Sequence, residues 1–353
     1  MLTWENMIAL RMQRQCISRH TDRNEYDKLY RDLSPGLNLH WHGFGQPPCL
    51  VCRTDFDDVE YNGQRQLERT LVKGRFQNGN IGFIEAEQME LYACMYQKPY
   101  RPTEYTEILL QLIEREGPMN IQLMKEMTGL LVKEITPALH RLQEAFLLFE
   151  DQNDGDWDRA WYQFEEIFPD ADRNRYTRQQ ALEYVLPGLF YRFVCLTCEN
   201  VRHFYGLPKK DVSAALKKLE ADGKLTAWQD GWITPQDRAL LEEADYEPAH
   251  HVIALHRNDP LVRIEEWRLK EIYKGKEKGS EVMQYLLIDG QIRGAVMGHF
   301  RYGPYDLHEI RTELSAKELE ERKREILDAV QEVNGEREGL EKLIVETARE
   351  PGI

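Results

Sequence analysis

Apolar and polar residues alternate most regularly between residues 104 and 165, where the pattern changes from a helical period to a strand period. Apolar side chains three and four positions apart predict three helices, over 104–116, over a short segment that ends at residue 128, and over about 132–144. Met127 is expected to point inward from the second of these helices. Two strands joined by an acidic turn are predicted to follow, over 146–150 and 159–165.

The same order of elements returns after residue 176. A long helix is predicted over 177–198, and Pro187-Gly188 is expected to kink or divide it. A short helix, a helix that begins after Pro208, and a strand hairpin that turns at Asp230-Gly231 come next. Helix, helix, helix and two-stranded ribbon is the order of a winged helix, so the sequence predicts two of them in tandem.

The period changes to two beyond residue 250, which predicts a small antiparallel sheet or barrel with a tight turn at Asp289-Gly290. Ser315 and Glu318 have the spacing of a helix N-terminus, and the charged helix that follows is predicted to end at Asn334-Gly335. At the other end of the chain, Thr3 is expected to begin an amphipathic helix over 3–17.

These patterns predict an α+β fold, mainly α, with tandem winged-helix domains, a small C-terminal antiparallel β-barrel and a helical tail. Residues 34–56 are rich in glycine and proline and cannot form one long helix, so they are predicted to be a loop. The predicted domains are a helical, winged-helix-like region over 1–100 that contains this loop, winged helices over 101–170 and 171–247, the barrel over 248–314 and the tail over 315–353.

Composition narrows the class of protein. Hydrophobic residues make up 42% of the 353 positions, as in ordinary globular proteins, but no apolar run is long enough to span a membrane. Six cysteines are too few for a disulfide scaffold, and the first residues lack the features of a signal peptide, so a cytoplasmic protein is expected. The net charge of −15 is concentrated in residues 81–170, which carry 7 basic and 18 acidic side chains. Binding to nucleic acid is therefore expected only where the charge is locally balanced or basic.

Two helices offer side chains for contact with double-stranded DNA. The first set lies on the outward face of the third helix of the second winged helix, where recognition helices reach phosphates and base edges: Lys209, Lys210, Ser213 and Lys217. The second set lies off the apolar stripe of the N-terminal helix: Arg11 and Arg14. A solvated helix surface would carry the same residue types, so that interpretation stays open.

The first winged helix has an acidic hairpin with four aspartates: Asp151, Asp154, Asp156 and Asp158. A phosphate backbone would repel these carboxylates. This repeat is therefore expected to be structural or to face a partner protein.

The order of several segments resembles the winged-helix DNA-binding family that contains the DNA glycosylases for bulky alkyl adducts and interstrand crosslinks (AlkZ/YcaQ-like). The segments that carry the resemblance are LTWENMIALRMQRQCI at 2–17, NGNIGFIEAEQMEL at 78–91, CENVRHFYGLPKKDVSAALKKLEADGKL at 198–225, LHRNDPLVRIEEW at 255–267 and YLLIDGQIRGAV at 285–296. The resemblance implies binding to double-stranded DNA, damaged or intact, and hydrolysis of the N-glycosidic bond of bulky alkylated purines. It implies no cofactor and no metal.

The sequence departs from the family at its catalytic motif. Where the family has a Gln–apolar–Gln or Gln–apolar–Asp triplet that positions the attacking water, this chain has Leu39-His40-Trp41-His42. The family's Arg-Gly-Thr-Leu-His segment corresponds here to residues 78–82, which lack both the arginine and the histidine. By position, His40 and His42 are the candidate catalytic residues, since one imidazole can accept a proton from water while the other holds or donates one.

Other interpretations of this loop remain open. The two histidines can equally be surface or hydrogen-bonding groups beside an inward-facing Trp41. Together with Cys49 and Cys52 they also have the spacing of a tetrahedral zinc site, whereas Cys195 and Cys198 are expected only to pack within a helix. Acidic residues shortly after the loop are candidates to orient water or to form a solvated turn: Asp55, Asp57, Asp58 and Glu60. The alternative function is a non-catalytic DNA-binding or transcription-regulatory protein of the same fold, and a third is a protein that kept the fold and lost DNA binding.

Overall fold

The computed structural model describes residues 3–37, 49–50, 52–151, 159–275, 279–299 and 306–346. The N-terminal region contains three helices, a two-stranded hairpin and a fourth helix: α1 (Trp4–Arg14), α2 (Arg23–Asp32), α3 (Asp58–Leu67), β1 (Leu71–Arg75), β2 (Ile81–Glu85) and α4 (Met89–Tyr96). The side chain of Thr3 caps α1 as predicted, by accepting a hydrogen bond from the backbone N–H of Asn6. Residues 60–75 are divided between the end of α3 and β1.

The first predicted winged helix has the expected three helices and hairpin: α5 (Glu104–Glu116), α6 (Ile121–Thr128), α7 (Val132–Glu144), β3 (Leu148–Glu150) and β4 (Trp161–Gln163). The second strand, predicted to continue to residue 165, ends at Gln163, where the short helix α8 (Phe164–Ile167) begins. Gly117 and Gly129 end α5 and α6 with positive φ angles, which glycine adopts without strain. Leu109, Leu139 and Trp161 belong to an apolar cluster confined to this part of the chain. Met127 is 46% exposed, so the prediction that it points inward is wrong.

The second winged helix consists of α9 (Arg178–Phe193), β5 (Cys195–Leu196), α10 (Cys198–Tyr205), α11 (Lys209–Ala221), β6 (Thr226–Trp228), β7 (Gly231–Ile233) and α12 (Pro235–Glu243). The predicted division of its first helix at Pro187-Gly188 is wrong, because α9 continues through both residues. Leu186, Leu189 and Phe190 around the proline are fully buried, so packing holds the helix together despite the missing N–H. Cys195 lies in β5, which corrects the expectation that it shares a helix with Cys198.

The C-terminal region is built around a five-stranded sheet: β8 (Val252–His256), α13 (Pro260–Arg263), α14 (Glu266–Ile272), β9 (Glu281–Ile288), β10 (Gln291–His299), β11 (Asp306–Thr312), α15 (Ala316–Asn334) and β12 (Ile344–Glu346). Strands β8 to β11 form an antiparallel meander, and β12 joins β11 in parallel. Within the described residues, strand pairing is linear, so this part of the predicted barrel is an open sheet. The turn at Asp289-Gly290 has positive φ angles at both residues, as predicted for a tight hairpin.

The chain therefore has an α+β fold, mainly α. Among its described elements, a helix is followed by a strand hairpin at α3 with β1–β2, α7 with β3–β4, α11 with β6–β7 and α14 with β9–β10. One large apolar core joins the N-terminal region, the second winged helix and one side of the C-terminal sheet, through residues such as Tyr92, Phe190 and Leu287. A second core lies between the sheet and α15. No helix in the described part of the chain is long and apolar enough to cross a membrane.

Candidate active loop and nucleic-acid interface

His40 and His42 lie outside the described residues, but the backbone on both sides of their loop is described. Before the loop, Gly36 pairs with Phe83 of β2 through two backbone hydrogen bonds of 2.8 Å. Gly82 lies directly beside this point, since a Cβ at Gly82 would be 3.0 Å from the Cβ of Pro35. The fold thus brings the base of the loop against the segment 78–91. The loop and this segment are the two places where the sequence departs from the family's motifs.

A buried arginine from the C-terminal region holds the first end of the loop. Arg263 donates hydrogen bonds to the carbonyl oxygens of Pro35, at 2.8 Å, and Phe204, at 2.9 Å. Its guanidinium also lies over the ring of Phe204. Complete burial lowers the pKa of Arg263 to about 10, so it stays protonated at neutral pH. A buried cation that binds backbone carbonyls fixes the position from which the chain enters the loop.

Two buried carboxylates hold the other end of the loop. Asp58, at the start of α3, accepts hydrogen bonds from the backbone N–H of Leu50, at 2.6 Å, and from the hydroxyl of Tyr26, at 2.8 Å. Burial raises the pKa of Asp58, whereas these two hydrogen bonds favour its charged form. Asp259 forms a bidentate ion pair with Arg53, with N–O distances of 2.8 and 2.9 Å. Both partners of this pair are buried.

Asp259 and Arg263 lie at the two ends of the short helix α13. Asp259 also caps that helix, because it accepts a hydrogen bond from the backbone N–H of Leu261. One element of the C-terminal region therefore contacts both sides of the candidate loop, Pro35 before it and Arg53 after it.

The remaining acidic candidates differ in their surroundings. Asp57 caps α3, and Asp55 lies 2.7 Å from Nδ1 of His20 on the surface. Of the four acidic candidates, only Asp58 is buried beside the loop, where it has a structural role. The other three carboxylates are exposed. The prediction that one of them orients water stays untested.

The cysteines of the zinc alternative are both protonated thiols at neutral pH. Burial raises the pKa of Cys49 to about 12 and that of Cys52 to about 11. Among the described residues, no group of three or more histidine, cysteine or acidic side chains has a metal-binding arrangement. The two histidines of that alternative lie outside the described residues.

The candidate recognition helix α11 is more basic than α3 and α7, the helices that precede the first two hairpins. It carries four lysines and two acidic residues, whereas α3 has a net negative charge and α7 is balanced. Lys210 and Lys217 are exposed, and Ser213 lies half-buried between them on the same face. Lys209 is also exposed, but its ammonium group lies 3.0 Å from Glu199. The structure therefore brings the four residues of this set to the surface of one helix.

The two arginines of α1 form contacts within the protein. Arg14 forms an ion pair with Asp237 in which both side chains are largely buried. Arg11 donates a hydrogen bond of 2.7 Å to the carbonyl oxygen of Gly290. Their predicted contact with DNA stays a prediction, and Arg14 would have to exchange Asp237 for a phosphate to make it.

The hairpins of the two winged helices form different contacts with the N-terminal region. Trp228, at the turn of β6–β7, stacks on Trp4 with a centroid distance of 5.9 Å. Asp151, at the start of the acidic hairpin loop, forms an ion pair with Arg69. Asp154, Asp156 and Asp158 lie outside the described residues.

Sequence reasoning missed the residues that hold the loop: Arg53, Asp259 and Arg263. The one available signal is that two of them border the apolar residues 260–262. Charged residues beside a short apolar run are expected to be buried only when they have partners, but the sequence does not identify the partners.

Comparisons with known proteins find similarity in structure but none in sequence. A scan against protein-family models gives no match, and neither does a search of curated protein sequences. Among solved structures, the DNA glycosylase AlkZ from Streptomyces sahachiroi matches with a TM-score of 0.64. The match covers 98% of this chain and 99% of that chain, at 13% sequence identity. The chain therefore has the fold of this DNA glycosylase over nearly its whole length, as the resemblance implied.

Proposed function

We propose that the protein is a DNA-binding, monofunctional DNA glycosylase that hydrolyses the N-glycosidic bond of bulky alkylated purines. The observation that carries the proposal is the match in fold to a DNA glycosylase over 98% of the chain, with no large part of either protein left over. The basic surface of α11 supports DNA binding, because lysines that neutralise phosphates release counterions from DNA.

In the proposed reaction, His40 and His42 manage the attacking water. N7-alkylpurines are cationic and leave the sugar readily, so the enzyme needs a positioned water beside the anomeric carbon rather than a strong acid. One imidazole would accept the proton of that water, and the other would hold the water or the protonated partner. Arg263, Asp58 and the Arg53–Asp259 pair would contribute by fixing both ends of the loop, since catalysis requires well-positioned groups.

The test is base release from duplex DNA that carries small or bulky N7-alkylguanine adducts. The wild-type protein is expected to release the free base, and the double variant His40→Ala, His42→Ala is expected to bind the same DNA without release. His250→Ala is the matched control, because that side chain is exposed and belongs to the C-terminal region. Unchanged release by the double variant would contradict the assignment of the histidines.

The binding part of the proposal has its own variant. Lys210→Ala with Lys217→Ala is expected to weaken binding to all duplexes and to reduce the slope of log affinity against log salt by about 2, at roughly 0.9 for each phosphate contact. Lys218→Ala is the control, because Lys218 is paired with Asp222 on the same helix. An unchanged slope in the double variant would place the DNA elsewhere on the protein.

A non-catalytic DNA-binding protein is the second candidate function. It is favoured by the replacement of the Gln–apolar–Gln motif by Leu39-His40-Trp41-His42, together with the loss of arginine and histidine at 78–82. Salt-dependent binding to duplex DNA without base release from either adduct would support this alternative. Absence of both binding and release would support the third interpretation, in which the fold serves another purpose.

A further inference from the structure

A groove of about 620 Å³ lies between α1, the start of α10 and α11, helix α14 and the strand β10. It is separate from the candidate loop, because none of its lining residues belongs to segments 34–37 or 49–60. Lys209 lines the groove at the first turn of α11, so the groove is continuous with the surface proposed to bind DNA.

Two tryptophans in the groove each stack on a neighbouring ring and stay partly exposed. Trp4 stacks on Trp228 at 5.9 Å and is still 46% exposed. Trp267 stacks on His203, also at 5.9 Å, and is 41% exposed. In both cases a neighbouring ring supports one face of the indole and fixes its orientation. A supported indole with an exposed face is a platform on which a nucleobase can stack.

The charges of the groove favour bases over phosphates. Four cationic and four acidic side chains line it, so it has no net charge to attract a phosphate backbone. Several of them are neutralised locally: Lys209 lies 3.0 Å from Glu199, and Arg268 forms an ion pair with Glu265. Arginine and carboxylate side chains are also the groups that pair with base edges, arginine with guanine and carboxylates with the amino group of cytosine.

We infer that this groove, which we name the tryptophan groove, binds an unpaired nucleotide of the DNA that lies on α11. The inference rests on the proposed DNA binding and adds a second contact to it, in which the base stacks on Trp267 or Trp4. A paired base cannot reach such a platform, because both of its faces are covered within the duplex. The groove therefore recognises DNA with a nucleotide outside the base stack.

The test compares two duplexes of the same sequence, one fully paired and one with a single central unpaired adenine. The wild-type protein is expected to bind the second duplex more tightly. Trp267→Ala is expected to lower the affinity for that duplex about 10-fold, as the loss of one stacked base predicts, and to leave the affinity for the paired duplex nearly unchanged. The salt dependence of Trp267→Ala should equal that of the wild type, since no phosphate contact is lost.

Tyr184→Ala is the control, because Tyr184 is a 62% exposed aromatic residue of α9 that does not line the groove. It should bind both duplexes as the wild type does. A wild-type protein that binds both duplexes equally, or a Trp267→Ala variant that keeps the preference, would overturn the tryptophan groove while leaving DNA binding intact. Failure of the wild type to bind either duplex would overturn the proposed function and this inference with it.

Discussion

At the scale of single residues, the most consequential contact is the ion pair between Arg53 and Asp259. Both side chains are fully or almost fully buried, and together they join the end of the candidate loop to α13. Taking two charges out of water is unfavourable, so a buried pair adds little net stability compared with apolar residues of the same size. Removal of one partner is different, because the other charge then stays buried after its bidentate ion pair is lost.

Asp259→Ala is therefore expected to lower the free energy of unfolding by about 3–5 kcal/mol, measured by denaturant titration. Asp328→Ala is the control, since Asp328 lies 3.9 Å from Arg324 in an exposed pair and should contribute about 0–1 kcal/mol. Equal effects of the two variants would show that Arg53 finds another partner or reaches solvent when Asp259 is removed.

Local residue signals could be predicted from the sequence, but distant pairs could not. Thr3 and Ser315 cap their helices as predicted, because the residues that decide a cap lie within three positions of each other. Arg14 was predicted to face outward, and the structure pairs it with Asp237, 223 positions away. An arginine beside an apolar stripe has the same sequence pattern whether its partner is solvent, a phosphate or a distant carboxylate.

At the scale of elements, the N-terminal cap of helix α15 makes the free energy of unfolding depend on pH. Glu318 accepts hydrogen bonds from the hydroxyl and the backbone N–H of Ser315, and another from Arg293. These interactions lower the pKa of Glu318 to about 2. Because the folded pKa lies below the unfolded value near 4.5, this stabilisation is complete above about pH 4.5 and is lost as the pH falls toward 2.

Ser315→Ala is expected to lower the free energy of unfolding by about 1 kcal/mol at neutral pH, through loss of the cap. Part of this difference from the wild type should disappear between about pH 4.5 and 2, where Glu318 becomes protonated in both proteins. Denaturant titrations at several pH values measure both effects. A difference that grows as the pH falls would contradict the assigned role of the carboxylate.

The same scale shows where element prediction succeeds and where it fails. Helices α5 to α7 and the hairpin after them follow the predicted pattern, because their apolar spacing and terminal glycines act locally. Helix α9 is kinked or divided at Pro187 in the prediction, and the structure does not divide it, because buried neighbours outweigh the preference of proline for a helix end. Met127 lies on an apolar stripe and is nevertheless exposed, since periodicity does not show how far the covering element extends.

At the scale of the whole molecule, the chain has two kinds of core. Helices α5 to α7 form their own cluster with Leu148 and Trp161. Phe146, Phe149 and Phe164 of the first winged helix instead belong to the core that the N-terminal region, the second winged helix and the C-terminal sheet share. Some predicted domain boundaries therefore separate two apolar cores, whereas others run through a single shared core. We propose that helices α5 to α7 open and close independently, and that the regions that share the large core unfold together.

Leu139→Ala is expected to lower the free energy of opening by about 2–5 kcal/mol for amides of helices α5 to α7 and to leave those of α9 and β9 nearly unchanged. Leu189→Ala, in the shared core, should instead reduce protection in α9 and β9 together. Native-state hydrogen exchange with mass spectrometry distinguishes the two patterns. Loss of protection throughout the protein in Leu139→Ala would mean that helices α5 to α7 are not an independent unit.

The contact between Arg53 and Asp259 also sets an order of events during synthesis. The two residues are 206 positions apart, so at about 5–20 residues per second the ribosome makes Asp259 roughly 10–40 s after Arg53. During this interval helices α5 to α7 already have the residues of their own cluster and can fold, while the candidate loop has neither Asp259 nor Arg263. The ends of the candidate loop can therefore be fixed only after α13 has left the ribosome. Synthesis of α13 is the step that completes the candidate active loop.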